Sequence, residues 1–316
     1  KYYQTRLRLL GSKELQMKLL LLGSNGQLGW ELQRSLSPLS KIFACDRNTV
    51  DFTDLDSLKK LVRNYRPDVI VNAAAYTNVD KAESDAENAF WVNFEAVDLL
   101  AKEATALNSW LIHYSTDYIF DGTKNGSYKE EDKTNPESVY GKSKLQGESA
   151  IIDSKCKYLI FRTSWLYSAY GNNFVKTVLS IARKRSELRV VCDQIGAPTS
   201  ADLVADVTSL CLHRIIQDNL SSKDISGVYH LTSTGKTSWY DLAKYVIIEA
   251  QKHGGIFTAK PENIIAINAL EYPLPAKRPA NSLLNSQKLC KTFNLYLPAS
   301  ETHADRIIKE LYLREA

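Results

Sequence analysis

Tyr140 and Lys144 have the side-chain types and the spacing that proton transfer requires. They are four positions apart in the sequence, so in a helix their side chains share one face. A tyrosine hydroxyl has a pKa of about 10, and a neighbouring ammonium group lowers that pKa by favouring the phenolate. Thr116 follows an apolar run and offers a hydroxyl that can hydrogen-bond a substrate carbonyl. These three residues predict acid–base chemistry, although the Tyr-x-x-x-Lys spacing alone also suits an ordinary surface helix.

A glycine-rich segment near the start of the chain predicts a dinucleotide-binding turn. Gly23, Gly26 and Gly29 lie between an apolar run at residues 19–22 and an amphipathic segment at 27–36. Glycines at such a junction permit a tight turn and close approach of a ligand to the backbone, and the N–H groups that begin the helix attract a pyrophosphate. By itself the pattern also suits a plain strand–helix turn.

Two further positions favour a nicotinamide dinucleotide as the ligand. Asp46 ends the second apolar run, 20 residues after Gly26 (46 − 26), where a carboxylate would bind the adenosine ribose. Arg47 follows it and suits a 2′-phosphate, so the pattern fits both NADH and NADPH. The third run ends in small residues, Ala73, Ala74 and Ala75, which leave room for a cofactor across the strand ends or for close helix packing.

The segments around these residues alternate between strand and helix patterns. The predicted strands of the first half are residues 19–22, 41–45, 68–71, 109–115 and 158–163, and the predicted helices are 27–36, 55–65 and 82–107. Such alternation is typical of βαβ units. We therefore predict an α/β protein with a Rossmann doubly wound parallel sheet.

The pattern loosens after residue 165, which suggests a division of the chain. We predict an NAD(P)-binding Rossmann domain with the Tyr/Lys pair at 17–165, and a smaller C-terminal α/β region at 166–316 that mainly binds substrate and returns in part to the sheet. Strands are expected at 188–192 and 227–232, and helices at 201–216, 239–251 and 302–313. Residues 1–16 precede Met17, the only methionine, and are interpreted as a disordered tag or upstream segment.

Composition excludes several other classes of protein. The 40 Lys and Arg and the 36 Asp and Glu residues are interspersed, with a net charge of +4, which disfavours a nucleic-acid partner. No apolar run reaches the roughly 20 residues of a membrane span. The five cysteines form no Cys-x-x-Cys pair and the five histidines have no metal-ligand spacing. A cytoplasmic protein without membrane attachment is expected.

Several motifs together give the chain a family resemblance. It resembles the extended short-chain dehydrogenase/reductases, and within them the nucleotide-sugar reductases. The motifs that carry the resemblance are Gly23-x-x-Gly26-x-x-Gly29-Trp30-Glu31-Leu32, Arg66-Pro67-Asp68-Val69-Ile70-Val71-Asn72-Ala73-Ala74-Ala75, Ser115-Thr116-Asp117-Tyr118-Ile119-Phe120, Tyr140-Gly141-Lys142-Ser143-Lys144, Arg162-Thr163-Ser164-Trp165 and Asp193-Gln194-Ile195-Gly196-Ala197-Pro198-Thr199.

The resemblance implies a dTDP-sugar substrate. The expected reaction is reduction of the 4-keto group of dTDP-4-dehydro-6-deoxy-L-mannose by NADPH or NADH, which gives dTDP-L-rhamnose for surface polysaccharide. It implies that Tyr140 donates the proton, Lys144 tunes Tyr140, Thr116 and Asp117 position the sugar, and Trp165 contacts the substrate. The positions it places along the cofactor are Gly23, Gly26, Gln27, Leu28, Gly29, Asp46, Arg47, Asp51, Phe52, Ala75, Tyr76, Thr77, Tyr114, Tyr140 and Lys144.

The resemblance also implies a metal and a partner. Some members form homodimers around Mg²⁺ held by three carboxylates, and the matching positions are Glu31, Asp202 and Glu310. Oxygen ligands suit this ion, but surface carboxylates fit the same positions. Arg278 in the proline-rich loop suits a substrate phosphate or a surface role.

Two other functions stay open at this point. One is a nucleotide-sugar epimerase that retains its NAD. The other is a non-catalytic NADP-binding regulatory subunit of methionine adenosyltransferase. A dehydratase is disfavoured, because that reaction needs an acidic residue directly after Thr116-Asp117 and Tyr118 stands there.

Overall fold

A six-stranded parallel sheet forms the centre of the protein. In the computed structural model, which describes residues 17–217 and 225–313, the strand order is β2-β1-β3-β4-β5-β10 and every pairing is parallel. The predicted Rossmann doubly wound fold is confirmed. The strands are β1 (Lys18–Leu22), β2 (Lys41–Cys45), β3 (Val69–Asn72), β4 (Trp110–Thr116), β5 (Lys157–Thr163) and β10 (Gly227–His230).

The inner strands are apolar because both of their faces are covered. Every residue of β3 is buried, and so are four of the five in β1, as expected for strands between two helical layers. In the sheet β1 lies between β2 and β3, so the winding direction reverses there. Ligands of such folds bind outside the carboxyl ends of the strands at this reversal.

Helices cover both faces of the sheet. One apolar cluster joins the sheet to α1, α8 and α10 through Leu32, Val204 and Leu289. A second joins the other face to α2 and α5 through Leu58 and Leu100. The helices are α1 (Gln27–Leu36), α2 (Leu55–Tyr65), α3 (Val79–Ala82), α4 (Ala86–Phe90), α5 (Ala96–Leu107), α6 (Val139–Ser154), α7 (Phe174–Lys184), α8 (Ala201–Gln217), α9 (Trp239–Lys252), α10 (Gln287–Phe293) and α11 (Ser300–Leu313).

The predicted single helix over residues 82–107 is wrong. The chain instead forms α3, a break, then α4 and α5 joined by a π-helical turn at Trp91–Glu95. The break arises because Asp85 uses its carboxylate outside the helix, where it accepts bonds from the Tyr76 hydroxyl at 2.9 Å and the Asn88 amide at 2.7 Å. Such local side-chain bonds compete with helix continuation.

The part of the chain after β5 has its own apolar cluster. It is built from α7, α9 and α11 around Val178, Val246 and Ile307. Three small two-stranded sheets lie here, pairing β6 (Leu166–Tyr167) with β9 (Thr199–Ser200), β7 (Leu188–Val191) with β12 (Ile264–Ile267), and β8 (Ile195–Gly196) with β11 (Thr237–Ser238). The functional division at residue 165 stays a prediction. The interpretation of residues 1–16 lies outside the described residues.

A salt bridge ties the proline-rich loop to the first half of the chain. The Arg278 guanidinium holds both carboxylate oxygens of Asp80, at 3.0 and 2.7 Å, and the backbone N–H of Ala276 also donates to Asp80. The Arg278 guanidinium is therefore engaged in a contact within the protein. Among residues 17–217 and 225–313, none of the helices has the length and apolar character that crossing a membrane would require.

Candidate active site

The glycine-rich segment forms a compact turn between β1 and α1. Gly23 has a φ of +81°, and its carbonyl accepts the N–H of Gly26 at 3.0 Å. A Cβ on Gly29 would lie 2.0 Å from the oxygen of Gly23, and a Cβ on Gly23 would lie 2.6 Å from the backbone nitrogen of Ala74. Only glycine fits at these two positions. The helix begins after Gly26 without a side-chain cap, so the turn presents main-chain N–H groups of the kind that bind a pyrophosphate.

Asp46 lies beside this turn at the carboxyl end of β2. Its carboxylate accepts the Asn25 amide at 2.6 Å and the hydroxyl and N–H of Thr49, both at 3.0 Å. The Thr49 hydroxyl is the largest of the influences that lower the pKa of Asp46. A ribose hydroxyl would therefore meet an ionised carboxylate that its own loop already orients. Arg47 is exposed next to it.

Some of the other predicted cofactor positions are buried in the core, and others are exposed or bond to neighbouring elements. Leu28 and Phe52 are buried in the two clusters that flank the sheet. Asp51 is exposed and accepts bonds from the N–H and hydroxyl of Thr53, both at 2.9 Å. The carbonyl oxygen of the Gln27 side chain accepts the Asn173 amide at 2.9 Å, which links α1 to the start of α7.

Tyr114 points away from the predicted cofactor path. Its ring is part of the core, and its hydroxyl lies 2.9 Å from that of Thr208 on α8. Only its carbonyl faces the site, where it accepts Lys144 Nζ at 2.6 Å. A contact between the Tyr114 side chain and a cofactor is therefore disfavoured by the geometry.

The segment Ala75 to Thr77 is held by a residue of the π-helical turn. The Asn93 side chain accepts the N–H of Tyr76 at 2.9 Å and donates to its carbonyl at 3.1 Å. Asn93 is buried and also donates to the Ser143 hydroxyl at 3.0 Å. The widened turn thereby connects the loop after β3 to the helix that carries Tyr140 and Lys144. Turns of this kind often occur at functional sites.

Tyr140, Thr116 and Asp117 meet at the carboxyl end of β4. Burial raises the pKa of Tyr140 to about 12, although a hydrogen bond with the Thr116 hydroxyl opposes the rise. Burial also raises the pKa of Asp117 to about 6, against hydrogen bonds from Ser282 and Thr116. Tyr140 is therefore a protonated phenol at neutral pH, as a proton donor must be.

Buried polar oxygen atoms without partners lie at the ends of β4 and β5. Within the described part of the chain, Ser115 Oγ, Asp117 Oδ2 and Thr163 Oγ1 are buried and have no hydrogen-bond partner. Thr116 and Thr163 are paired in register at the ends of β4 and β5. Buried oxygens that lack partners are costly unless a ligand supplies them, so they fit a polar ligand at these strand ends.

Lys144 does not contact Tyr140 in the way that the sequence suggests. Its Nζ lies 3.1 Å from His113 Nε2 and donates to the carbonyl of Tyr114, and the Lys144 charge is not among the causes that shift the Tyr140 pKa. Burial lowers the pKa of Lys144 to about 8, while the carboxylate of Glu148 opposes this. The predicted tuning of Tyr140 by Lys144 stays a prediction for the complex with bound ligands.

Trp165 directly follows the short loop after β5 in an unusual conformation. Its φ is +49°, a region that non-glycine residues rarely occupy. Its ring stacks on Trp239 with centroids 3.4 Å apart and an interplanar angle of 8°. A Cβ on Gly196 would lie 2.4 Å from this ring, so the absence of a side chain there makes room for Trp165. The indole is half-buried and available for the predicted substrate contact.

The predicted Mg²⁺ site is not supported. No group of three acidic, histidine or cysteine side chains suited to a metal ion occurs in residues 17–217 and 225–313. Asp202 instead has nitrogen-bearing side chains as neighbours, with His303 Nδ1 at 3.2 Å and Arg306 Nη1 at 3.3 Å. Although burial favours its protonated form, these neighbours and a Ser200 hydrogen bond lower the pKa of Asp202 to about 2. Glu31 pairs with Arg34 at 3.2 Å.

Four residues of the site were missed by sequence reasoning. These are Asn72, Asn93, His113 and Ser282, each of which holds a predicted site residue or its neighbour. Asn72 and His113 had a signal that could have found them, since each is a polar residue that directly follows an apolar run within its strand. Asn93 and Ser282 had none, because their contacts depend on the π-helical turn and on a distant loop.

A family model and curated relatives match the chain over nearly its full length. The model described as RmlD substrate binding domain matches residues 17–313. The chain is 45% identical over 304 residues to the dTDP-4-dehydrorhamnose reductase of Escherichia coli (strain K12), covering 95% of this chain and 100% of that protein. It is also 45% identical over 300 residues to the dTDP-4-dehydrorhamnose reductase of Salmonella typhimurium, covering 94% and 98%.

A solved structure agrees with these sequence matches. The dTDP-4-dehydrorhamnose reductase from Bacillus anthracis, determined in complex with NADP, superposes with a TM-score of 0.83 at 32% identity and covers 94% of this chain and 100% of that one. The fold and the sequence therefore point to the same group of proteins.

Proposed function

The chain belongs to the RmlD substrate-binding-domain family, and on that premise we propose that it is an NAD(P)H-dependent dTDP-4-dehydrorhamnose reductase. The reaction is reduction of the 4-keto group of dTDP-4-dehydro-6-deoxy-L-mannose to give dTDP-L-rhamnose. The relatives that carry this name are aligned over almost their whole length. The resemblance in the motifs and the confirmed fold support the same assignment.

The residues at the end of β4 carry the proton chemistry in this proposal. A bound nicotinamide dinucleotide supplies the hydride. Thr116 orients the substrate carbonyl, and Tyr140 transfers its phenolic proton to the carbonyl oxygen as the C4–H bond forms. The carbonyl carbon gains one hydride and its oxygen gains one proton, so the ketone becomes an alcohol. The tyrosine recovers its proton from solvent after product leaves.

The observation that carries the proposal is the position and protonation of Tyr140. It is partly buried beside Thr116 and Asp117, and loss of solvation raises its pKa to about 12, so it is protonated at neutral pH. It shares the carboxyl edge of the sheet with the glycine turn and with unpartnered polar atoms on β4 and β5. A regulatory subunit would not need this phenol beside unsatisfied polar atoms at the strand ends.

The glycine turn and the Asp46 loop are proposed to hold the cofactor. Gly23, Gly26 and Gly29 would receive the pyrophosphate, and Asp46 the adenosine ribose. Arg47, which is exposed beside Asp46, is proposed to meet the 2′-phosphate of NADPH. The relative from Bacillus anthracis was determined in complex with NADP, which supports a nicotinamide dinucleotide without deciding between NADPH and NADH. Dimerisation around Mg²⁺ has no such support.

The test compares wild type with the variant Tyr140→Phe. dTDP-4-dehydro-6-deoxy-L-mannose is generated in situ, and the loss of NADPH or NADH absorbance is followed. Wild type is expected to turn over, and the variant to lose at least roughly 10²-fold in rate, the usual scale for a general acid. A faster reaction with NADPH than with NADH would support a contact between Arg47 and the 2′-phosphate.

Folding and cofactor binding are measured in parallel with turnover. Circular dichroism and titration with NADPH show whether the variant keeps its fold and its dinucleotide site. Absence of turnover by folded, cofactor-binding wild type would contradict the reductase assignment and favour the regulatory subunit.

A further inference from the structure

Two buried polar residues connect the end of β3 to Lys144. Asn72 ends β3 and His113 is its register partner in β4. The Asn72 amide nitrogen lies 3.2 Å from His113 Nδ1, and His113 Nε2 lies 3.1 Å from Lys144 Nζ. All three side chains are at most 2% exposed. The proposed mechanism assigns no role to Asn72 or His113.

The backbone fixes the direction of the hydrogen bonds in this chain. The N–H of Ala74 donates to Asn72 Oδ1 at 3.1 Å. Because a backbone amide can only donate, this bond identifies the oxygen end of the Asn72 side chain and directs its NH₂ group at His113. An amide NH₂ also only donates, so His113 Nδ1 accepts.

The proton of His113 is therefore on Nε2. A neutral imidazole that accepts at one nitrogen carries its proton on the other. Burial is the main reason that the pKa of His113 lies well below its usual value. The ring consequently presents an N–H donor to Lys144 Nζ.

Such a donor favours the neutral form of the lysine over the charged form. An ammonium group has three donors and no acceptor, so it would place N–H against N–H at His113. A neutral amine has a lone pair that accepts from His113 and still donates to the carbonyl of Tyr114 at 2.6 Å. We infer that Asn72 and His113 form a buried donor chain that disfavours the ammonium form of Lys144, which makes His113 a positioning residue for the proposed reductase reaction.

The charges around Lys144 are consistent with this assignment. The carboxylate of Glu148 favours the ammonium form, but Arg162 pairs with that carboxylate at 2.7 Å. Asp117 and Tyr118 lie on the 3-10 turn packed against α6, and their charges act on Tyr140 or on each other. From β4, the titratable group in contact with Lys144 is His113. Burial accordingly outweighs Glu148 and lowers the pKa of Lys144 to about 8.

The inference has a direct consequence for the reaction. The ammonium form of Lys144 is the one that favours proton release from Tyr140. If His113 disfavours that form, kcat/KM should fall as pH rises through the pKa of Lys144, at about pH 8. Removing the His113 donor should move this alkaline limb to higher pH.

The first test is the tautomer itself, which does not depend on turnover. His230 is an internal contrast, because it is also buried but its Nδ1 faces the carbonyl of Tyr128 at 3.1 Å and must carry the proton there. Nitrogen-15 NMR of histidine-labelled protein should show the Nε2–H form for His113 and the Nδ1–H form for His230. The variants His113→Gln and His230→Gln assign the signals. An Nδ1–H or a doubly protonated His113 would overturn the inference.

The second test is the pH dependence of kcat/KM in the same variants. The glutamine in His113→Gln can turn its oxygen to Lys144, so the alkaline limb is expected to rise by about one pH unit or more. His230→Gln should leave the limb in place. If His113→Gln instead lowers kcat/KM by the same factor at every pH, the role of His113 is merely structural and the inference is overturned.

Two safeguards separate the possible failures. If His113→Gln does not fold by circular dichroism, His113→Asn replaces it. If wild type shows no ketosugar turnover, the proposed function fails, and the NMR experiment still decides the tautomer.

Discussion

Single residues at the carboxyl end of β4 owe their protonation to burial. The same effect keeps Tyr140 protonated, shifts Asp117 toward its neutral form and shifts Lys144 toward the neutral amine. Sequence spacing identified Tyr140 and Lys144, because the i and i+4 rule operates within one helix, and Thr116 was identified by its position after an apolar run. The spacing could not show that Lys144 bonds His113, since that contact depends on how α6 packs against β4.

Asp117 should make the stability of the protein depend on pH. Its pKa rises from 3.8 to about 6 on folding, so the folded state binds more protons between these values and stability falls as pH increases through this range. The rise corresponds to about 3 kcal/mol. Other carboxylates, such as Asp46 and Asp202, have lowered pKa values and act in the opposite direction, so the test is a comparison. In urea unfolding, the change in stability from pH 4 to pH 7 should be less favourable in wild type than in Asp117→Asn by about 3 kcal/mol. An equal pH dependence in both proteins would contradict the burial argument.

Among the secondary-structure elements, those with simple periodicity were predictable and the composite helix was not. The strands of the sheet and helices α1 and α2 follow apolar patterns that local sequence sets. The region 82–107 fails because Asp85 bonds Tyr76 and because a π-helical turn inserts Asn93 between two segments. Both interactions depend on contacts with residues outside the helical pattern, so the periodicity of residues 82–107 could not predict them.

The glycine turn gives a prediction that separates folding from binding. Gly29→Ala would force a Cβ to within 2.0 Å of the Gly23 oxygen, so we expect a loss of about 2 kcal/mol in the free energy of unfolding together with weaker NADPH binding. Gly26→Ala is the matched control, because its Cβ would lie at 3.4 Å and its φ is −78°. Gly26→Ala should weaken NADPH binding but change the free energy of unfolding by less than about 0.5 kcal/mol. Urea unfolding and calorimetric titration measure both, and equal destabilisation by the two variants would contradict this account.

For the whole molecule, the order of the strands brings the separate motifs together. The glycine turn after β1, the Asp46 loop after β2, the loop after β3 and the Thr116 turn after β4 all lie at one edge of the sheet. Parallel winding could be predicted from the alternation of elements, and so could this convergence. The placement of the later loops could not, because contacts such as Asp80 with Arg278 join residues almost 200 positions apart.

Metal dependence is a property of the whole molecule that follows from the surroundings of Asp202. Because His303 and Arg306 already face its carboxylate, we expect that EDTA treatment leaves both the turnover rate and the molecular mass in solution unchanged. Light scattering and the ketosugar assay, with and without added Mg²⁺, measure this. If EDTA lowers the molecular mass in solution or the turnover rate and Mg²⁺ restores it, the expectation is wrong and a metal site at Glu31, Asp202 and Glu310 is supported.

The most direct test of the central claim follows the hydride. NADPH that carries two deuterium atoms at the nicotinamide C4 is supplied with dTDP-4-dehydro-6-deoxy-L-mannose, and the product is analysed by NMR and mass spectrometry. We expect dTDP-L-rhamnose with a single deuterium at sugar C4 and one cofactor oxidised for each product formed. A product without deuterium and without cofactor consumption would contradict the reductase assignment and indicate an epimerase that retains its NAD.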